Sequence, residues 1–170
     1  MKLNNIKAHF NLDDEISFND ARYIFRGCNA TFTIHQHTKN VVHVTGVKSK
    51  RHLKFCADYI KETFNVGIKK EKIDNQFFSH KSKKILSMRS IYHEISEMEN
   101  YCVLYEPELF TGMTIKHVNK AFPTIILFST GSYSILGGKM EYVKYSWELV
   151  NTLILKHTLV QHCNLSLSDD

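Results

Sequence analysis

Two stretches of this chain repeat one order of parts, and that order restricts the fold more than any other feature. Residues 34–64, IHQHTKNVVHVTGVKSKRHLKFCADYIKETF, and 125–155, IILFSTGSYSILGGKMEYVKYSWELVNTLIL, each read as strand, tight turn, strand, a Gly-x-Lys or Gly-Gly-Lys junction, then helix. A supersecondary unit used twice has to bury the same apolar face twice. Lys39-Asn40 and Thr130-Gly131 are residue types that supply hairpin turns. After the junctions, Leu53, Cys56, Ala57, Ile60 and Phe64 fall on one side of a helix, as do Val143, Trp147, Val150 and Ile154 in the second copy. Each helix should therefore pack one face onto a sheet.

Upstream the copies diverge. LNNIKAHF (3–10) is similar to KIDNQFFS (72–79), each a short mixed strand with a central Asn, and a helix is expected after each, over Ser17–Arg26 and Ser90–Asn100. Asn5 precedes Gly46 by 41 residues, whereas Asn75 precedes Gly137 by 62, so the first copy lacks about one hairpin. The expected class is α+β, with a shortened first repeat over 1–68, a second over 69–158 and a tail over 159–170.

Composition narrows the function. The 170 residues, 43% hydrophobic and 12% aromatic, can bury a sizeable core. No apolar run reaches membrane-spanning length and MKLNNIKAHF has no signal-peptide pattern, so a soluble intracellular protein with no membrane partner is expected. Between Lys39 and Lys84 twelve Lys/Arg face four Asp/Glu, a balance of +8, while residues 85–170 hold six against nine, or −3. The first segment suits a polyanion and the second a basic or mixed partner, although solvated faces explain the same charges equally well. Cys28, Cys56, Cys102 and Cys163 are scattered without a CxxC pair, which argues against a disulfide framework or a zinc site built from them. His35 and His37 lie two apart, which in a strand would put both on one face, but with no acidic or thiol neighbour a solvated or packed face is favoured over a metal site. No phosphate-binding glycine loop, HExxH or nucleophile motif occurs, and His93-Glu94 reads as a solvated helix face; neither enzyme activity nor a cofactor is expected.

YEPELFTG (105–112), followed by TIILFSTGSYSILGGK and a helix, resembles the second repeat of the TATA-box-binding protein core. LNNI and VVHVTGVKSK resemble its first repeat more loosely. The resemblance implies a saddle: a curved antiparallel sheet of two pseudo-symmetric repeats, with two long helices on the convex side and DNA in the concave one. Residue by residue, it implies that Phe110 and Phe128 wedge between bases with Leu109 beside the first, and that Asn5, Asn75 and Thr45 meet the minor groove. Leu136 stands at a usual groove threonine, and Lys7 and Phe77 at usual valine positions. Lys116 and Lys139 match phosphate contacts, and Lys48 corresponds to Lys139 in the first repeat. Glu106 and Glu108 match the contact with transcription factor IIB, whereas the shortened first repeat puts factor IIA-like binding in doubt. Without the family, Phe110 and Phe128 would be assigned to a core, the asparagines equally to turns, and the lysines to solvent.

The second wedge of the first repeat should fall near Gln36 or His37, and its first wedge is missing, so weaker and less TATA-selective binding is expected. The resemblance thus implies a promoter-binding general transcription factor that binds A·T-rich DNA and recruits a IIB-like factor and RNA polymerase. The alternative is a saddle-fold protein that has lost DNA binding and acts as scaffold or competitor. Erosion of this kind suits a large DNA virus or an AT-rich parasite, and hence either the nucleus or cytoplasmic viral replication sites.

Overall fold

The structure is a computed structural model, described for residues 1–159; Cys163 and the tail beyond Leu159 lie outside the described residues. The first copy comprises β1 (Lys2–Leu12), β2 (Arg22–Gly27), β3 (Ala30–His35), β4 (Thr38–Val47) and α1 (Lys50–Phe64). The second comprises β5 (Ile68–His80), α2 (Met88–Ser96), β6 (Tyr101–Leu104), β7 (Gly112–His117), β8 (Thr124–Phe128), β9 (Tyr133–Leu136) and α3 (Met140–His157). The strands form a nine-stranded sheet in the order β2-β3-β4-β1-β5-β9-β8-β7-β6, with antiparallel pairing wherever register is defined. The fold class is α+β.

The chain divides into two compact units. One is Met1–His80 with Ser134–Lys139; the other is Lys81–Tyr133 with the chain from Met140 onward. In the first unit, Ile6, Ala8, Phe10 and Leu12 alternate along β1 and are buried with Phe32, Ile34, Val42 and Val44 against Leu53, Cys56, Ala57 and Ile60 of α1. This is the two-residue period of a sheet meeting the apolar stripe of a helix. Ser49 caps α1 by accepting the His52 N–H at 3.0 Å, and Asn65 ends it in the left-handed region. In the second unit, Met113, Ile115, Ile125 and Leu127 of β7 and β8 are buried, as are Val143, Val150, Leu153 and Ile154 of α3 and Ile91 and Ile95 of α2. Glu94 of α2 accepts from Lys156 at 2.8 Å and from His157 at 2.6 Å, tying α2 to the end of α3.

Several expectations need correction. Ser17–Arg26 is not a helix: it is loop leading into β2, whose Tyr23 and Phe25 alternate onto one side and pack with Phe18, Phe32, Tyr59 and Phe64. That aromatic period of two outweighs a weak helical pattern. The first copy therefore lacks a strand and a helix, those corresponding to β6 and α2, and not merely a hairpin. Its hairpin turns at Gln36-His37, because Thr38 pairs with His35; Lys39-Asn40 lies in the irregular start of β4. Thr130-Gly131 does form the second turn, with Gly131 at φ +72°. Trp147 is 36% exposed, and the smaller Ser146 takes the buried place beside it. His93-Glu94 is not merely solvated, since Glu94 is the α2–α3 anchor just described.

Candidate nucleic-acid interface

The face of β1 turned away from α1 carries Asn5, Lys7, His9 and Asn11. On β5, Phe77 stands opposite Asn5, and Asn75 opposite Lys7. Each asparagine thus pairs across strands with a position where the sequence departs from the resembled pattern. On β4, Thr45 and Gly46 together face the single residue Lys7, because Val44 pairs with Ala8 and Val47 with Ile6. This is a β-bulge, and Gly46 supplies the φ of +87° that its turn requires. Asn5 Oδ1 accepts the Gly46 N–H at 2.9 Å. With its carbonyl held there, the carboxamide has two N–H donors left to offer. In the second copy Asn75 Oδ1 lies near Gly137, 3.3 Å from where a Cβ would sit, and Gly137 has φ +75°. The hydrogen bonding differs between the copies, since the Gly137 N–H donates to the Gln76 carbonyl at 2.8 Å and not to Asn75.

Thr45 lies on the same helix-free side, paired with Thr31 of β3. Lys48 and Lys139 are exposed and occupy equivalent places, each between the last strand of its copy and the following helix. Leu136 is half-buried on β9, out of phase with the buried Ile135.

In the second unit, the YEPELFTG segment joins β6 to β7. The Glu106 carbonyl accepts the N–H groups of Leu109 at 3.0 Å and Phe110 at 2.9 Å, closing a turn around Pro107. That turn puts Leu109 and Phe110 outward, 83% and 48% exposed, so neither is a core residue. The Phe110 ring meets the half-buried Phe128 ring edge-on, with centroids 6.0 Å apart at 70°. Gly112 pairs with Phe128, and a Cβ at position 112 would lie 2.6 Å from the Phe110 ring, so only glycine lets the ring lie there. Glu106 and Glu108 are exposed in the same loop, and Lys116 is exposed on β7 opposite Cys102. The first copy has no such loop: Cys28 and Asn29, both at positive φ, join β2 to β3 directly.

Two side-chain clusters have no signal in linear spacing. His9 pairs across strands with His43, and Asp74 joins them from β5. Burial, with the nearby His9, lowers the basicity of His43. Cys28 and Cys56, far apart in sequence, bring their Sγ atoms to 3.4 Å beside His52. Burial and the Cys28 thiol push Cys56 up to about 12. Only the strand pairing and the α1 docking create these groups.

No protein-family model matches the sequence, and no curated protein does. Among solved structures the chain is similar to Methanococcus jannaschii TBP, with a TM-score of 0.69 over 91% of this chain and 98% of that one. The fold is TBP-like. At 17% identity the likeness is one of fold. Within that TBP-like fold, the missing strand and helix of the first copy are where this chain is shorter than its own second copy. No helix among the described residues is long and apolar enough to cross a membrane.

Proposed function

We propose that this protein is a divergent TBP-like general transcription factor. It binds A·T-rich duplex DNA in the minor groove and recruits a IIB-like factor and RNA polymerase. The observation that carries this reading is the outward Leu109-Phe110 pair with Phe128 against it. An 83%-exposed leucine beside a half-exposed phenylalanine is unfavourable in water but suits insertion at an unstacked base step. Asn5 supports it chemically, because its N–H donors complement the adenine N3 and thymine O2 acceptors of A·T pairs. Asn75, Thr45 and Leu136 would line the same groove. Lys48, Lys116 and Lys139 would neutralise phosphates, adding affinity without sequence information.

Glu106 and Glu108 would repel phosphate and so serve the IIB-like partner, whereas the factor IIA-like partner has no equivalent loop in the first copy. With one Leu-Phe loop in place of two, DNA is deformed less, and TATA selectivity falls with it. Nuclear residence, or cytoplasmic replication sites for a viral source, follows from this role.

That same missing loop favours a second reading, a scaffold or competitor for a IIB-like factor that no longer binds DNA. A salt-dependent gel shift on A·T-rich duplex separates the two. The promoter factor binds at low salt and loses binding in the Phe110→Ala, Phe128→Ala double variant. Wild-type protein that fails to bind at low salt supports the scaffold.

A further inference from the structure

We propose that His9, His43 and Asp74 form a binding site for a zinc-class divalent transition-metal ion on the helix-free side of the first unit's sheet. One ligand atom from each residue lies within 4.8 Å of the other two. Ligands around a tetrahedral zinc ion stand about 3.3 Å apart, so small side-chain rotations close the set. Two imidazoles and a carboxylate are a common donor set for such an ion, with a further position open to water. His35 is next in line, its ring 5.8 Å from that of His43.

Two features point to a ligand here. Nδ1 of His43 is buried and has no hydrogen-bond partner. A buried ring nitrogen left unsatisfied is destabilising and calls for an ion or water beside it. The second is the backbone. Lys7 pairs with Asn75 and Ala8 with Ile73, which makes Asp74 the extra residue of a bulge in β5. The bulge brings Asp74 to His9, whose Nδ1 lies 2.8 and 2.9 Å from its two oxygens. Both side chains remain reachable, at 18% and 26% exposure. Lys7 and Lys72 are the nearby cations that oppose an ion, and Asp74 is the anion that offsets them.

The cluster of Cys28, His52 and Cys56 does not compete. His52 Nδ1 already accepts the Lys48 N–H at 3.2 Å, and its Nε2 donates to the Cys28 carbonyl at 2.6 Å. Neither ring nitrogen of His52 is left for a metal.

The test uses Zn2+ alone with the full chain, by isothermal titration calorimetry at neutral pH. NMR of the histidine ring protons follows in parallel. The expected result is one ion per chain, with shifts confined to His9, His43 and their neighbours. Asp74→Asn, at a partly exposed position that keeps the fold, should weaken binding at least about tenfold, and His43→Ala should abolish it. Cys28→Ser with Cys56→Ser should leave it unchanged. No uptake by folded wild-type protein overturns the site, as does uptake that survives Asp74→Asn and disappears with the cysteines.

Discussion

Replacing Phe110 with alanine separates a DNA wedge from a surface aromatic of no consequence. Phe110 is 48% exposed. An aromatic side chain offers about 200 Å², so roughly 100 Å² remains to be buried by a ligand. At about 25 cal/mol per Å², insertion between bases gains about 2.5 kcal/mol. Losing it should raise the Kd for A·T-rich duplex roughly 70-fold. Folding should suffer much less, by about 1 kcal/mol from the lost edge contact with Phe128. Phe55→Ala is the matched control, since Phe55 is 56% exposed on α1, away from the face proposed for DNA. Fluorescence anisotropy of a labelled duplex, titrated at several salt concentrations, gives both affinity and salt slope. The slope should be unchanged in Phe110→Ala, because a phenyl ring displaces no counterions, and shallower in Lys116→Ala. Affinity within twofold of wild type for Phe110→Ala, or an equal loss for Phe55→Ala, refutes the reasoning.

Glu94→Gln should destabilise the protein by about 1 kcal/mol, read by urea denaturation. Lys156 and His157 hold the Glu94 carboxyl below its ordinary 4.5, so its contribution is complete above that value and fades as pH falls through the lowered one. The gap between variant and wild type should therefore close in acid. Gly46→Ala should cost about 1–2 kcal/mol from the positive φ alone, since a Cβ there meets nothing nearer than 3.6 Å; a neutral result by thermal denaturation contradicts the bulge geometry. At pH 8 iodoacetamide should label exposed Cys102 far faster than buried Cys56, with the difference vanishing in denaturant; equal native rates contradict the packing of Cys56.

The second copy was legible because its signals are local. A Pro-containing turn, a glycine beside an aromatic and an alternating strand are written within a few residues, and YEPELFTG folds as a turn that presents Leu109 and Phe110. The recurrence of Asn5 and Asn75 was legible in the repeat, but the hydrogen bond that Asn5 accepts from Gly46 was not, because it joins two strands across a bulge. The first copy misled where periods were short. Tyr23 and Phe25 lie within a segment that also reads as helix, and only the aromatic partners on β3 and α1 decide for a strand. The His9, His43 and Asp74 cluster was not legible at all. Cross-strand register and one bulge residue assemble it from three separate strands.

The most direct test of the TBP-like reading is base unstacking at each end of the bound site. Duplexes with 2-aminopurine at one end or the other of an A·T-rich site report it by fluorescence. The first copy has no counterpart of the Leu109-Phe110 loop, so full unstacking is expected at one end only, and it should disappear in the Phe110→Ala, Phe128→Ala variant. Full unstacking at both ends, or unstacking that persists without the two phenylalanines, contradicts the account.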